Sequence, residues 1–133
     1  MKRIFTLLAI FALSFPAFAQ DNLNMTLRSN VQYNPDLNDI WGWANPDDGT
    51  EYAIVGLRDA VSIVSLADLD NAVEVARIPG PSTTWRDIKT WGDFAYVSNE
   101  ADQGILVIDM SQLPDTATFE SVSYTHLTLP TKA

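Results

Sequence analysis

The residues of this chain with the clearest chemical potential are two aspartates, four tryptophans and one histidine. Asp39 and Asp87 stand 48 positions apart, each followed by isoleucine. Carboxylates arriving from successive repeats could converge on a hard cation such as Ca²⁺, which takes about six to eight oxygen ligands. The competing reading makes them structural aspartates that accept backbone N–H groups or pair with Arg86 or Lys89. It is favoured, because a residue repeated in a repeat fold usually serves the repeat. Asn45-Pro-Asp-Asp-Gly49 lacks the spaced ligands and closing glutamate of a calcium loop and reads as a turn. Trp41, Trp43, Trp85 and Trp91 could stack on a sugar face, but aromatics recurring once per repeat more often pack between repeats. Asn99-Glu100 with Asp102 offers a carboxylate pair for acid/base work, against the plainer reading of a solvated loop. His126 falls in a C-terminal stretch read below as foreign. Without it the chain has no histidine, and it has no cysteine at all. That removes thiol nucleophiles, histidine-based triads and the usual zinc sites.

The elements that must position these residues are short strands. Trp85–Trp91, Phe94–Asn99 and Gly104–Met110 are separated by Gly92-Asp93 and by a second turn ending at Gly104. The pattern occurs twice. Glu51-Tyr-Ala-Ile-Val-Gly matches Asp93-Phe-Ala-Tyr-Val-Ser at an offset of 42, and Val61-Ser-Ile-Val-Ser-Leu matches Ile105-Leu-Val-Ile-Asp-Met at 44. The first copy predicts strands over Asp39–Trp43, Tyr52–Leu57, Ala60–Leu66 and Val73–Ile78, and a fourth strand of the second copy starts at Ala117–Glu120. In Val73–Ile78 the alternation is two-sided, with Glu74, Ala76 and Ile78 sharing a face. Met25–Tyr33 is a further candidate strand, a closing one, with Leu27, Val31 and Tyr33 partly buried. No helical period of useful length follows residue 19. The expected fold is all-β: four-stranded units recurring every ~40–50 residues, the mark of a β-propeller. Two blades fall short of a closed ring of about four to eight, so the reading is a truncated propeller.

Both ends carry their own signals. Met1-Lys-Arg is a basic n-region, Ile4–Phe15 an apolar h-region and Ala17-Phe-Ala19 a small-x-small motif, which predicts a signal peptide cleaved between Ala19 and Gln20. The apolar run is too short to span a bilayer. At the other end, Val122–Thr131 is what one reading frame of a transposase-type library adapter encodes, so 122–133 is read as adapter-derived. The organisation is therefore residues 1–19 signal peptide, 20–38 polar segment, 39–81 first blade, 82–121 truncated second blade and 122–133 foreign. The whole chain has 17 acids and 8 bases, and omitting Lys2, Arg3 and Lys132 leaves 5 bases and a net charge of −12. Such a surface repels nucleic acid and anionic membranes.

Several stretches resemble the choice-of-anchor B family. They are Asn38–Gly42, Tyr52–Gly56, Ile78–Ser82, Trp85–Lys89, Ala95–Glu100 and Gly104–Leu113. Leu106-Val-Ile-Asp109 is close to the LVIVD string that names that family's repeats. The resemblance covers about Val31 to Asp115. It implies an exported, propeller-like repeat protein held at the bacterial surface by a C-terminal sorting signal, here beyond the residues in hand, and it transfers no catalytic residues. The expected role is a non-catalytic binding or scaffold module for an extracellular protein or polysaccharide, without cofactor. The alternative is a propeller hydrolase or lyase acting on extracellular polymers, with Ca²⁺ at the channel mouth.

Overall fold

The computed structural model describes residues 24–34, 36–101 and 104–122. The signal peptide with its Ala19/Gln20 junction, Asp102, His126 and the tail beyond Val122 lie outside these residues. Eight strands follow in order: β1 (Leu37–Ala44), β2 (Glu51–Leu57), β3 (Ala60–Ser65), β4 (Val73–Pro79), β5 (Arg86–Trp91), β6 (Phe94–Asn99), β7 (Ile105–Asp109) and β8 (Thr118–Val122). They form two antiparallel four-stranded sheets with spatial orders β1-β2-β3-β4 and β5-β6-β7-β8, and the sheets do not close into a barrel. Among the described residues there is no helix. The fold is all-β, and the duplicated sequence corresponds to two sheets of the same topology. β8 runs one residue into the segment read as foreign, while residues 24–34 form no strand.

Local chemistry accounts for the turns. Trp91 pairs with Phe94 across the two-residue loop Gly92-Asp93. Gly92 has φ of 56°, as the first central position of a type II′ hairpin turn requires. Between β1 and β2, the side chain of Asn45 accepts the Asp47 N–H at 2.9 Å and Asp48 accepts the Thr50 N–H at 2.8 Å. These bonds within the loop, with Gly49 at φ 76°, make Asn45–Gly49 a turn.

The two sheets differ in how they are covered. β5 and β6 alternate cleanly: Arg86, Ile88, Ala95 and Val97 are buried, whereas Asp87, Lys89, Phe94 and Tyr96 are exposed. β3 is buried along its whole length. The reason is that the first sheet packs on both faces. Tyr52, Ile54, Val61, Ile63 and Ile78 meet Ile88, Val97, Ile108 and Met110 of the second sheet. On the opposite face, Val55, Leu57, Ala60 and Val64 lie beneath Val31 and Tyr33. Each fully buried valine, leucine, isoleucine or methionine among them contributes about 1.5–3 kcal/mol by leaving water. Leu27 is exposed, in contrast to its expected partial burial.

β4 departs from the simple alternation for a physical reason. Ile63 pairs with Ala76 but Val64 pairs with Glu74, so Val75 is an extra residue, a β-bulge. The bulge flips Glu74 away from Ala76 and Ile78, which remain on the inter-sheet core. On the other face its carboxylate takes a hydrogen bond from Ser62 Oγ, which in turn lies 2.7 Å from the Tyr33 hydroxyl. Without the bulge the carboxylate would be buried among aliphatic groups at a prohibitive cost.

Candidate functional site: the seam between β1 and β5

β5 lies against β1 and β2, and side chains rather than a backbone ladder join β1 to β5. Residues two apart on a strand share a face, so Asp39, Trp41 and Trp43 of β1 all look toward β5. Each bonds a residue 49 positions further on. Asp39 Oδ2 accepts the backbone N–H of Ile88 at 2.8 Å. Trp41 Nε1 donates to Thr90 Oγ1 at 3.1 Å, and Trp43 Nε1 donates to the Gly92 carbonyl at 2.8 Å. The other oxygen of Asp39 accepts the Ile40 N–H at 2.8 Å. The Trp43 ring also rests against Tyr52, with centroids 5.6 Å apart. Lys89 Nζ sits 4.2 Å from the centre of the Trp41 ring and pairs with Asp87 at 2.7 Å.

At the start of β5, Arg86 reaches back into the first sheet. Its guanidinium is almost fully buried and, among the described residues, carries no carboxylate partner. Instead Nε donates to the Leu57 carbonyl at 2.7 Å, and Nη2 donates to the carbonyls of Pro81 and, at 3.3 Å, Arg58. Among the described residues Nη1 finds no partner. Burial pushes the Arg86 guanidinium below its ordinary pKa, with nearby Asp59 acting in the opposite direction. Gly80 makes room for this arrangement, and Gly56 makes room for Asn38. A Cβ at Gly80 would come within 3.1 Å of both terminal guanidinium nitrogens, and one at Gly56 within 2.3 Å of Asn38 Oδ1. Nothing in the spacing of Arg86 marked it as the fork joining the sheets. The usable signal was Pro79-Gly-Pro81, a turn whose glycine leaves space for a large planar group.

The residues singled out for chemistry are therefore distributed along a seam. Asp39 is engaged by two backbone N–H groups, and Asp87 pairs with Lys89 at the exposed side of β5. Among the described residues no three acidic or histidine side chains cluster as a metal site would require. Trp43 is buried, Trp41 is half-covered by Lys89, and Trp85 and Trp91 are exposed. Asn99 Oδ1 accepts the Ala101 N–H at 2.8 Å, closing a local turn next to exposed Glu100. Asp109 also serves a turn: the Ser111 backbone N–H holds its carboxyl below the usual range, with the Ser111 hydroxyl adding to the effect. Burial raises the Tyr52 phenol, assisted by the negative charge of Asp48. Compared with known proteins, the chain matches no family model, no curated protein and no solved structure.

Proposed function

We propose that this chain is the N-terminal part of an exported β-propeller repeat protein of the choice-of-anchor B kind, displayed at the bacterial surface as a binding module. The observation that carries this reading is the seam. Its most reactive groups, Asp39 and Arg86, hold one sheet to the next through backbone N–H and C=O groups, as blade-to-blade joints do. The resemblance quoted above and the n-, h- and cleavage regions of residues 1–19 support display outside the cell. With a net charge of −12 after removal of both end segments, the surface suits neutral or cationic polymers better than anionic ones.

Exposed Trp85, at the entry to β5, is the aromatic platform for such a polymer, since its ring is free of the packing that occupies Trp43. Native gel electrophoresis through a neutral β-glucan tests the reading. Retention that falls when Trp85→Ala is introduced, with no release of new reducing ends, is the expected result. Release of reducing ends would replace the binding module by a hydrolase. Equal mobility with and without the polymer would remove the polysaccharide partner.

A further inference from the structure

Arg86 does more than fork the two sheets together. It lines a small cavity of about 50 Å³, shared with Pro79, Gly80 and Pro81 at the end of β4 and with Asn99, Leu106 and Ser121 of the second sheet. The arginine is 4% exposed. Its Nε and Nη2 are spent on the carbonyls of Leu57, Arg58 and Pro81, which leaves Nη1, buried and without a partner among the described residues, for the cavity. Nη1 lies beside Gly80, where a Cβ would come within 3.1 Å of it. Among the described residues no carboxylate lines the space. Asp59, the carboxylate whose field reaches the guanidinium, is 58% exposed and lies 3.9 Å from Arg77 instead. We propose that this cavity is a binding site for a small monovalent anion, a chloride ion, which supplies the counter-charge of Arg86.

The lining selects the ion. Asn99 Oδ1 takes the Ala101 N–H, so the group its side chain has left is the donating amide nitrogen. Ser121 adds a hydroxyl at the exposed rim. Pro79 and Pro81 have no N–H, and that of Gly80 is spent on the Asp59 carbonyl at 2.9 Å. The side-chain donors are thus one charged N–H group, an amide and a hydroxyl, a set that suits an anion. With a single terminal nitrogen available, the guanidinium cannot grip a carboxylate or phosphate through both arms of its fork, the arrangement that makes arginine selective for those groups. Size points the same way. A water takes about 10–15 Å³ of such space, so the cavity holds a monatomic ion with a water beside it but no phosphate ester. Water alone would accept from Nη1 yet leave the buried charge uncompensated, and buried charges are as a rule paired. Glu120, the acid next to Ser121, lines a separate cleft with Phe94 and Phe119, so its charge does not serve this cavity. Nor does the acidic surface as a whole exclude an anion, because at ~0.1 M salt exposed charges beyond about 10 Å are largely screened.

This site is independent of any polymer held at Trp85. The test is the urea midpoint of the full chain, read by tryptophan fluorescence, in sodium chloride against sodium gluconate at equal ionic strength. Gluconate is too large for the cavity. The expected result is a midpoint that rises with chloride and saturates, the unfolding equilibrium constant falling about elevenfold when chloride stands at ten times its dissociation constant. Bromide should substitute for chloride. Asn99→Asp keeps an oxygen for the Ala101 N–H and brings a carboxylate to the cavity, so it should raise the midpoint in gluconate and abolish the chloride response. Arg86→Met should abolish the response as well, and Asn99→Asp carries the test if that variant does not fold. Equal wild-type midpoints in the two salts overturn the proposal and leave the cavity to water. A midpoint that falls in Asp102→Asn, with no chloride response in the wild type, overturns it by assigning the counter-charge to this chain's own carboxylate. A chloride response that survives Asn99→Asp unchanged overturns the site, since the ion would then act elsewhere.

Discussion

Replacing Arg86 by methionine sets two large effects against each other. The substitution keeps most of the aliphatic volume and removes a buried charge. Relieving the desolvation of a guanidinium, one of whose terminal nitrogens has no partner among the described residues, works toward stability, and exchanges of buried ions for apolar groups are often neutral or favourable. That result holds when both partners are exchanged together. Here the acceptors are main-chain carbonyls and they stay. Arg58 O retains the Thr83 N–H at 2.9 Å, but Leu57 O and Pro81 O each lose a charged donor. Hydrogen bonds to charged groups contribute roughly 1.5–3 kcal/mol each, so the loss is about 3–6 kcal/mol before the desolvation relief is subtracted. The expected net destabilisation is about 3 kcal/mol. With a urea slope of roughly 2 kcal/mol per molar, the unfolding midpoint should fall by about 1.5 M with the slope unchanged. Tryptophan fluorescence during urea unfolding reads this directly. Arg28→Met is the control, since it breaks only the exposed pair with Asp70 and should leave the midpoint within error. An unchanged or higher midpoint for Arg86→Met would refute the reasoning, because desolvation would then outweigh the carbonyl fork.

Asp39→Ala leaves the Ile88 N–H without an acceptor in a buried position, which costs about 1–3 kcal/mol; at about 4–8 °C per kcal/mol, the melting midpoint should drop by roughly 10 °C. Asp39→Asn keeps one acceptor oxygen and should lose about half of that; equal midpoints for wild type and Asp39→Ala would show that the seam is not held there. Chelation with EDTA should leave the melt unchanged, because the Asp39 carboxylate already serves two N–H groups; a lowered midpoint would restore the calcium reading. Asp109 titrates below the ordinary carboxylate range when folded, so the stabilisation it brings is complete above pH ~4 and is lost as pH falls through its folded value. Asp109→Asn keeps an oxygen for the Ser111 N–H without titrating, and should flatten the decline of the urea midpoint between pH 4 and 2. An unaltered acid slope would place the proton uptake elsewhere.

How far the fold was legible depends on which interactions are local. Strand positions and turns were readable because alternation and turn residues act within a few positions: Gly92-Asp93 and Asn45–Gly49 both close loops by their own backbone and side-chain preferences. The repeat offsets also mark Asp39 and Asp87 as equivalents, and the structural reading of both as acceptors of backbone N–H groups describes Asp39. Arg86 was opaque for the opposite reason. Its acceptors at Leu57, Arg58 and Pro81 are main-chain atoms, and a carbonyl looks the same whatever side chain its residue carries. Glu74 shows where alternation itself fails. Strict alternation put its carboxylate with Ala76 and Ile78, on the face that must be apolar to meet the second sheet. The chain cannot change the residue, so it changes the register, inserting Val75 as a bulge and turning Glu74 toward Ser62. A conflict between pattern and polarity within one strand is therefore itself a signal for a bulge, with the charged residue marking the side on which the alternation breaks.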